Sequence, residues 1–577
     1  MYESISRRIV WWLFPILLMS FGGRSAPGQN TDELAPLQKM NVQSQIANYV
    51  RIDYVDSIDI NRLWDGAIQG MIEALDPHSS YMPPDTYDDF REKIRGNFQG
   101  IGITFSVIND TITVIDVIPG GPSEKAGLRT RDRIVRIDRE SAVGLDSDEI
   151  KNRLRGPADS KVMVDVIRPG IEKSLPFPIT RDRVEMNSVS HSYILDEQTG
   201  YIAISSFTLL THLDVQRALA ELKMQKMKRL VLDLRGNSGG SLDAAIKVVD
   251  CFIKDGVIVS TKGKKGIEEQ VWRATGRANY ADIPMVVMIN HGSASASEIV
   301  AGALQDHDRA LIVGQTSFGK GLVMNPYILR QADENLGTLM LTIARYYTPS
   351  GRLIQRPYNG TREEYIQEGI DDYDPNAEEE DKSDRPVFRT DLNREVYGGG
   401  GITPDRVLER NTSLNEFERD IRQTNLLFQF ADEYLLRNHD IPRRFNQFLA
   451  EYRITGEEIE RFYAFVTENG ITSGEKTPLY DDIKGLLEKN TITGAQVAAV
   501  ESSFVANGID IHETLFTQSR DFIEREIKME LARMIWGSDS RYRIWDTSDI
   551  ELMGALTYFD EAEELLNQRL AIGKLDP

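Results

Sequence analysis

The stretch from Pro284 to Gly321, PMVVMINHGSASASEIVAGALQDHDRALIVGQTSFGKG, determines the expected fold of the chain. A short apolar run, Met285 to Ile289, gives way to small residues and then to apolar residues at helical spacing. This pattern predicts a buried strand, a tight turn and a helix. A second apolar run, Ala310 to Val313, predicts another strand and leads into a glycine-bracketed turn at Phe318 to Gly321. The order of elements indicates an α/β domain.

The predicted turn before the helix carries three serines, Ser293, Ser295 and Ser297. A nucleophilic side chain there would lie at a helix N-terminus, where free backbone N–H groups favour developing negative charge. Lys320 could take the serine proton if burial lowers the pKa of its ammonium below the usual value of about 10.4. Spacing alone does not select one serine, and Ser/Ala runs at helix starts also serve as caps.

The strings SASASE, ALQD and FGKG resemble those of the tail-specific, or C-terminal processing, serine peptidases. In that family the middle serine is the nucleophile, and the general-base lysine lies twenty-five positions later, as Lys320 does here. The resemblance therefore implies Ser295 as nucleophile and Lys320 as base, with Ser293 and Ser297 structural. Asp306 matches an acidic position of the family. We leave open whether it supports the dyad or is a solvated or helix-end carboxylate.

The chain departs from the family at Met324, where the family has a glutamine hydrogen-bonded to the lysine. Methionine offers only a weak sulfur acceptor, so another group must orient Lys320 or the lysine is oriented less well. Two hypotheses follow: a working Ser/Lys dyad, or a non-catalytic tail-binding scaffold or chaperone with an inactive dyad. The intact Ser295 and Lys320 favour the enzyme.

A second glycine-rich turn, Arg235 to Gly240 (RGNSGG), follows the apolar run Arg229 to Leu234. Glycines allow backbone N–H groups to point into a site at the carboxyl ends of the strands. The resemblance implies that Gly239 or Gly240, together with the N–H of Ala296, forms the oxyanion hole.

The string GNSGG also raises a rival, a trypsin-like PDZ protease with Ser238 as nucleophile and a histidine as base. That class places the PDZ domain after the protease, whereas here the PDZ-like segment comes first. His191 and His212 also lack the upstream setting that such a base requires.

Residues 96–183 contain several short β-like runs and resemble a PDZ domain. Its expected carboxylate-binding loop and following strand are FQGIGI, with the tail-binding residues Gly100, Ile101, Gly102 and Ile103. Backbone N–H groups of a glycine turn can hold a terminal carboxylate while the peptide adds as a strand to the sheet edge. The expected partners are proteins and peptides with apolar C-terminal tails.

Residues 1–30 have the layout of a secretory signal, with Arg7 and Arg8 before an apolar run from Ile9 to Phe21. Export to the periplasm is the expectation. A clean cleavage site is missing, so an uncleaved N-terminal membrane anchor is the alternative. The net charge of −22 argues against unaided nucleic-acid binding. A single cysteine, Cys251, cannot form an internal disulfide, and no motif implies a metal or another cofactor.

The expected fold class is α/β multidomain: an α/β Ser/Lys peptidase core with an inserted, β-rich PDZ domain, N-terminal helices and a C-terminal helical domain. The boundaries are a helical region at 31–95, the PDZ domain at 96–183, the core at 184–410 with an acidic insertion at 363–387, and the helical domain at 411–577. The turn LDPHSSY, Leu75 to Tyr81, also resembles the family, and we interpret His78 as a turn residue and not as a base. The helical regions are expected to mediate homo-oligomer formation or to bind an activating adaptor.

The resemblance thus predicts a serine endopeptidase that recognises protein C-terminal tails through its PDZ domain. Cleavage would proceed through an acyl-enzyme formed on Ser295.

Overall fold

The computed structural model describes residues 35–264, 269–332, 334–358, 360–371, 385–411, 414–471, 493, 496, 499 and 515–572. The chain divides into two compact units, Met1–Ala74 and Leu75–Pro577. The first contains α1 (Ala35–Asp53) and α2 (Ile60–Glu73), where the apolar spacing predicts helices. Within the described ranges, no helix has the length and apolar character needed to cross a membrane. The predicted signal segment lies outside these ranges.

In the second unit, the first domain is the β-rich one predicted from the glycine loop. Its six-stranded sheet has the order β3-β4-β5-β7-β8, with β6 beside β5, and β2 pairs with β9. Apolar residues alternate along the central strands and are buried, as at Ile112, Val114 and Val164. The elements are β2 (Asn97–Gly100), β3 (Ile103–Ile108), β4 (Thr111–Val117), α4 (Pro122–Ala126), β5 (Arg133–Ile137), β6 (Glu140–Ser141), α5 (Ser147–Leu154), β7 (Lys161–Ile167), β8 (Leu175–Thr180) and β9 (Asp182–Glu185).

The α/β core predicted at 184–410 is built on a six-stranded sheet of order β10-β11-β12-β15-β16-β21, parallel except for β10. Helices α6, α7 and α8 pack on one face, and helices from the C-terminal domain cover the other. Burial on both faces explains why these strands are continuous apolar runs. The elements are β10 (Val189–Ile194), β11 (Thr199–Ile204), α6 (Thr211–Met224), β12 (Arg229–Asp233), α7 (Leu242–Val249), β15 (Met285–Ile289), α8 (Ala296–Asp306), β16 (Leu311–Gly314) and β21 (Arg406–Val407).

A second sheet lies beside the core and has the order β1-β18-β13-β14, with β17 also paired to β18. The long hairpin of β17 and β18 begins directly after the predicted lysine turn. The short β1 pairs with β18 and begins at Ser80, within the LDPHSSY stretch. The elements are β1 (Ser80–Met82), α3 (Pro84–Arg95), β13 (Val257–Gly263), β14 (Gln270–Arg273), β17 (Leu322–Gln331), β18 (Glu334–Tyr347), α9 (Arg362–Asp371), β19 (Val387–Arg389) and β20 (Glu395–Tyr397).

The C-terminal region is helical, as predicted, and it packs on the core. Its helices are α10 (Glu416–Gln423), α11 (Leu426–Arg437), α12 (Phe445–Glu451), α13 (Gly456–Glu468), α14 (Leu515–Gln518), α15 (Arg520–Trp536), α16 (Ser538–Trp545), α17 (Ile550–Leu556) and α18 (Phe559–Ile572). Leu552, Phe559 and Leu565 join the buried apolar cluster on the outer face of the sheet. Residues 372–384 of the acidic insertion lie outside the described ranges.

The run from Phe417 to Asn438 forms two helices, because Thr424 has an extended backbone and ends α10. The last strand of the core sheet begins at Arg406. Pro404 lacks the N–H that a strand ladder needs, and Asp405 instead accepts the N–H of Ile312 with its side chain at 2.8 Å.

Candidate active site

Ser295 lies in the turn between β15 and α8, at the position that caps the helix. Its backbone has φ +54° and ψ −109°, which is unusual for a residue with a side chain. Such backbone strain persists only where surrounding contacts hold it, and it is common at functional sites. Here the N–H of Ser295 donates to Glu298 Oε2 at 2.7 Å.

The two neighbouring serines have structural hydroxyl contacts. Ser293 Oγ donates to the carbonyl of Leu234 at 2.8 Å, and Ser297 Oγ donates to that of Asn237 at 2.8 Å. Both side chains are fully buried. They fasten the turn that carries Ser295 to the turn that follows β12.

Glu298 is a fully buried carboxylate that joins the serine turn to the lysine turn. Its Oε1 accepts from Ser317 Oγ at 2.6 Å and from the N–H of Gly319 at 2.7 Å. Its Oε2 accepts from the N–H groups of Ser295 at 2.7 Å and Lys320 at 2.9 Å. Burial raises the pKa of Glu298, and these four donors counteract that rise. Sequence reasoning missed this residue, although the Ser-x-x-Glu spacing of a capping box pointed to it.

Lys320 is half-buried in the turn after β16. Burial lowers the pKa of its ammonium, against the opposing carboxylates of Glu298 and Asp76. The Tyr346 hydroxyl lies 2.6 Å from the carbonyl oxygen of Lys320 and 3.1 Å from that of Ser295. The backbones of the two predicted dyad residues are therefore bridged twice, through Glu298 and through Tyr346.

Among the described hydrogen bonds, none joins Ser295 Oγ directly to Lys320 Nζ. Catalytic hydrogen bonds are often long or poorly aligned until substrate is bound. What the structure fixes is the relative position of the Ser295 and Lys320 backbones and the burial of the lysine side chain.

The glycine turn after β12 contacts Ser295 directly. A Cβ on Gly239, whose φ is +99°, would lie 2.8 Å from Ser295 Cβ and 2.9 Å from the nitrogen of Ala296. The N–H of Gly239 already donates to Asn237 Oδ1 at 2.9 Å. For the N–H groups of Gly240 and Ala296 the described part of the chain offers no acceptor. Of the three predicted oxyanion donors, Gly240 and Ala296 thus have available N–H groups.

Asp306 and Met324 occupy different surroundings. Asp306 is buried and not solvated: it pairs with Arg352 at 2.7 Å and accepts from Ser350 Oγ at 2.7 Å. It therefore stabilises the turn after β18. Met324 lies in β17, half-buried, and pairs with Thr342 of β18.

Arg235, a cation that the sequence did not single out, holds the glycine turn after β12 in place. Arg235 donates to Asp233 at 2.6 Å within its own turn. It also donates to Asp549 at 2.6 Å and to Glu551 at 2.8 Å, and both of these residues belong to the C-terminal helical domain. The site turn is thus tied to a domain more than three hundred residues away in sequence.

The predicted tail-binding loop lies between β2 and β3. Gly102 has φ +76°, a conformation that favours glycine. The carbonyls of Ile101 and Gly102 accept from Ser123 at 2.9 Å and Ile118 at 3.1 Å, while the N–H groups of the same two residues have no recorded acceptor in the described ranges. Among the described strands β3 pairs only with β4, so its other edge is available to an added strand.

The trypsin-like rival is wrong. The core is a parallel α/β sheet and not a β-barrel. Ser238 is exposed, whereas His191 is buried and stacks on Tyr542 with ring centroids 4.3 Å apart. His212 lies at the start of α6.

Three segments match known families. Residues 198–364 match the profile of peptidase family S41, residues 113–168 that of the PDZ domain, and residues 23–86 that of the N-terminal domain of the activating protease CtpB.

The chain is also similar to whole proteins. It is 41% identical over 327 residues to the carboxy-terminal-processing protease of Bartonella bacilliformis, covering 55% of this chain and 74% of that protein. It is 35% identical over 309 residues to the carboxy-terminal processing protease CtpB of Bacillus subtilis, covering 53% and 63%. A solved photosystem II D1 C-terminal processing protease is 30% identical, with 55% of this chain and 90% of that chain covered and a TM-score of 0.31.

Proposed function

Since the chain belongs to peptidase family S41, the PDZ-containing serine proteases of carboxy-terminal processing, we propose that Ser295 and Lys320 are its catalytic dyad. The observation that carries this assignment is the Glu298 carboxylate, one oxygen of which accepts the backbone N–H groups of both residues. The other two serines of the turn lack this link, because the N–H of Ser293 donates to the carbonyl of Asn290 at 2.8 Å and that of Ser297 to the carbonyl of Ala294 at 3.1 Å. Their hydroxyls also donate to backbone carbonyls.

In the proposed reaction Lys320 acts as a neutral amine. Burial, which lowers the pKa of its ammonium, makes that form more accessible near neutral pH. The amine takes the proton of Ser295 as Oγ attacks the scissile carbonyl, and the protonated lysine then supplies a proton to the leaving amine. Water hydrolyses the resulting acyl-enzyme with the lysine again as base.

The oxyanion of the tetrahedral intermediate would be held by the N–H groups of Gly240 and Ala296. Ala296 is the first residue of α8, so the helix N-terminus adds a favourable partial positive charge. Gly239 contributes by its lack of a side chain, since a Cβ there would meet the serine turn. Asp306 would act only indirectly, through the turn that it stabilises.

Protein and peptide substrates would be recognised by their C-terminal ends. The glycine loop before β3 supports carboxylate binding by the N–H groups of Ile101 and Gly102, and the open edge of β3 supports addition of the tail as a strand. The preference for apolar tails rests on the apolar residues around this loop, such as Ile103 and Phe105.

Export to the periplasm is part of the proposal and rests on the charged and then apolar layout of residues 1–30. The apolar spacing of α1 and α2 supports a contact with a second copy of the chain or with an activating adaptor. Cell fractionation and size-exclusion chromatography test these two points.

The dyad is tested by cleavage of an unstructured protein with an apolar C-terminal tail. We expect Ser295→Ala and Lys320→Ala to abolish cleavage while tail binding persists, and Ser238→Ala to retain it. Cleavage that survives in the Ser295 and Lys320 variants would overturn the assignment. Tail binding without cleavage by the unaltered chain would favour the scaffold hypothesis.

A further inference from the structure

The turn Asp76 to Ser79, outside the predicted dyad, is held rigidly against the lysine side of the site. Asp76 Oδ1 accepts the N–H groups of His78 and Ser79, each at 2.9 Å, and Oδ2 accepts Ser79 Oγ at 2.7 Å. Burial opposes ionisation of Asp76, yet these hydrogen bonds keep its pKa below the ordinary value. Asp76 is therefore a fixed, negatively charged carboxylate at neutral pH.

This turn is attached to β18 at the residue that faces Met324. Thr342 is the ladder partner of Met324 on β18. The same Thr342 donates from Oγ1 to Asp76 Oδ1 at 3.2 Å, and its N–H donates to Ser79 Oγ at 3.2 Å. A carboxylate is thus fixed beside the strand position of Met324, where the resemblance predicts a glutamine amide.

His78 extends the same network to the lysine turn. Its Nε2 lies 3.3 Å from the hydroxyl of Tyr365, which accepts from Gln355 Nε2 at 3.0 Å. Gln355 Oε1 in turn accepts the N–H of Gly321, next to Lys320, at 2.9 Å. The His78 ring also lies edge-on to Phe318, with centroids 6.3 Å apart. Polar contacts therefore run continuously from Asp76 to the residue that follows Lys320.

The Asp76 carboxylate and the Lys320 ammonium act on each other electrostatically, and both act on the His78 ring. Asp76 raises the pKa of Lys320. Burial first, and then Lys320, lowers the pKa of His78 to about 4, so that this ring is neutral. The other charged and titratable groups that face this cluster are Glu298 of α8, Tyr346 of β18, Tyr365 and Arg362 of α9, and Arg356.

We propose that Asp76 and His78 are positioning residues for Lys320, and that Asp76 supplies the polar partner that Met324 does not. The carboxylate attracts the ammonium formed after proton transfer, and the His78 network fixes the turn from which the lysine projects. This inference rests on the proposed dyad. It also revises the interpretation of His78 as a turn residue without a part in the site.

The test compares Asp76→Asn in the natural sequence and in a Met324→Gln background, using cleavage of a tailed protein at several pH values. Asparagine keeps the size and most hydrogen-bonding capacity of the turn while removing the charge. We expect kcat to fall by about tenfold or more, with KM nearly unchanged, because orientation of the base is lost. The acidic limb of the pH profile should move to lower pH, because the carboxylate that raises the pKa of Lys320 is gone. Met324→Gln should restore part of the lost kcat.

Asp88→Asn is the matched control, since Asp88 lies exposed on α3 and pairs only with Arg91 among the contacts described. It should leave kcat and the acidic limb in place. An Asp76→Asn variant with an unmoved acidic limb, or no gain from Met324→Gln in that background, would overturn the inference.

Two further measurements distinguish a failure of this inference from a folding defect and from a failure of the proposed dyad. If Asp76→Asn fails to fold, the kcat of the single variant Met324→Gln tests the inference. A change within about twofold supports Asp76 as the existing polar partner of Lys320, and a rise of about tenfold contradicts it. Activity remaining in Ser295→Ala or Lys320→Ala would instead show that the proposed dyad itself is wrong. If the dyad variants are inactive but Asp76→Asn keeps the kcat and the acidic limb of the natural chain, the dyad assignment stands and only this inference is wrong.

Discussion

At the scale of single residues, one carboxylate fixes the relative position of the proposed nucleophile and the proposed base. Glu298 is fully buried and uses both oxygens to accept N–H groups of two turns. Ser295 and Lys320 could be predicted from the sequence because their spacing resembles a family pattern. The role of Glu298 could not, because its other donors, Ser317 and Gly319, approach only when the chain folds.

Replacing Glu298 by glutamine should weaken the link between the two turns. The amide has one oxygen where the carboxylate has two, so either the N–H of Gly319 or the N–H groups of Ser295 and Lys320 lose their acceptor. Hydrogen bonds to charged groups contribute about 1.5–3 kcal/mol each. We expect a lower melting temperature and a fall in kcat of about a hundredfold. Thermal unfolding and cleavage rates measure both effects, and a variant with unchanged kcat would contradict this role.

Lys320→Met should give an inactive protein that is more stable than the natural chain near neutral pH. Burial lowers the pKa of Lys320 in the folded state, so the unfolded chain binds more protons and folding is disfavoured below the unfolded value of about 10.4. Stability of the natural chain should therefore rise as the pH rises towards that value. Urea unfolding at several pH values should show the two proteins converging in alkali. A constant difference between them would contradict a buried, destabilising lysine.

At the scale of elements, the candidate site lies where a glycine-rich turn follows β12 and a serine-rich turn follows the neighbouring parallel strand β15. β12 and β15 are adjacent in the sheet, so the turns that follow them meet at its carboxyl edge. The apolar runs and glycines predicted these strands and turns well. The bounds of the shorter elements were harder to predict. The end of α10 is set by Thr424 and the start of β21 by the side chain of Asp405, and neither bound follows from apolar periodicity.

Gly239→Ala should abolish activity through the geometry of the oxyanion turn. The new Cβ would lie 2.7 Å from the carbonyl oxygen of Ala294 and 2.8 Å from Ser295 Cβ, so the serine turn would have to move. Gly236→Ala is the matched control: its φ is +67° but nothing lies within 4 Å of an added Cβ. The control should lose only about 1–2 kcal/mol of stability from the left-handed backbone and keep its kcat. Equal kcat values for the two variants would contradict the close approach.

At the scale of the whole molecule, the C-terminal helical domain is a structural part of the peptidase. It covers one face of the central sheet, and its Asp549 and Glu551 bind Arg235 in the glycine turn after β12. It also reaches the PDZ domain, where Asn425 donates to Ser106 Oγ at 2.8 Å. Helices were predictable from the sequence, but these partners were not, because the paired residues lie hundreds of positions apart.

Asp549→Asn should weaken this attachment while keeping the helix cap. Asn caps α17 as well as Asp does, so the change removes mainly the charge opposite Arg235. We expect a loss of about 1–3 kcal/mol and a reduced kcat. Hydrogen bonds from Arg235 and its charge hold the pKa of Asp549 below the usual value despite burial, so the stability difference should be full above about pH 3.9 and fade in acid. Glu561→Gln, at the exposed pair with Arg406, is the control and should change neither quantity.

The central claim, that Ser295 is the activated nucleophile and Lys320 its base, is tested most directly by covalent labelling. The full chain is treated with a serine-directed phosphonylating reagent, and the modified peptide is located by mass spectrometry. The account predicts a single adduct on Ser295, formed faster as the pH rises through the pKa of Lys320 and lost in Lys320→Ala. An adduct on Ser238, or labelling of Ser295 that is unchanged in Lys320→Ala, would contradict it.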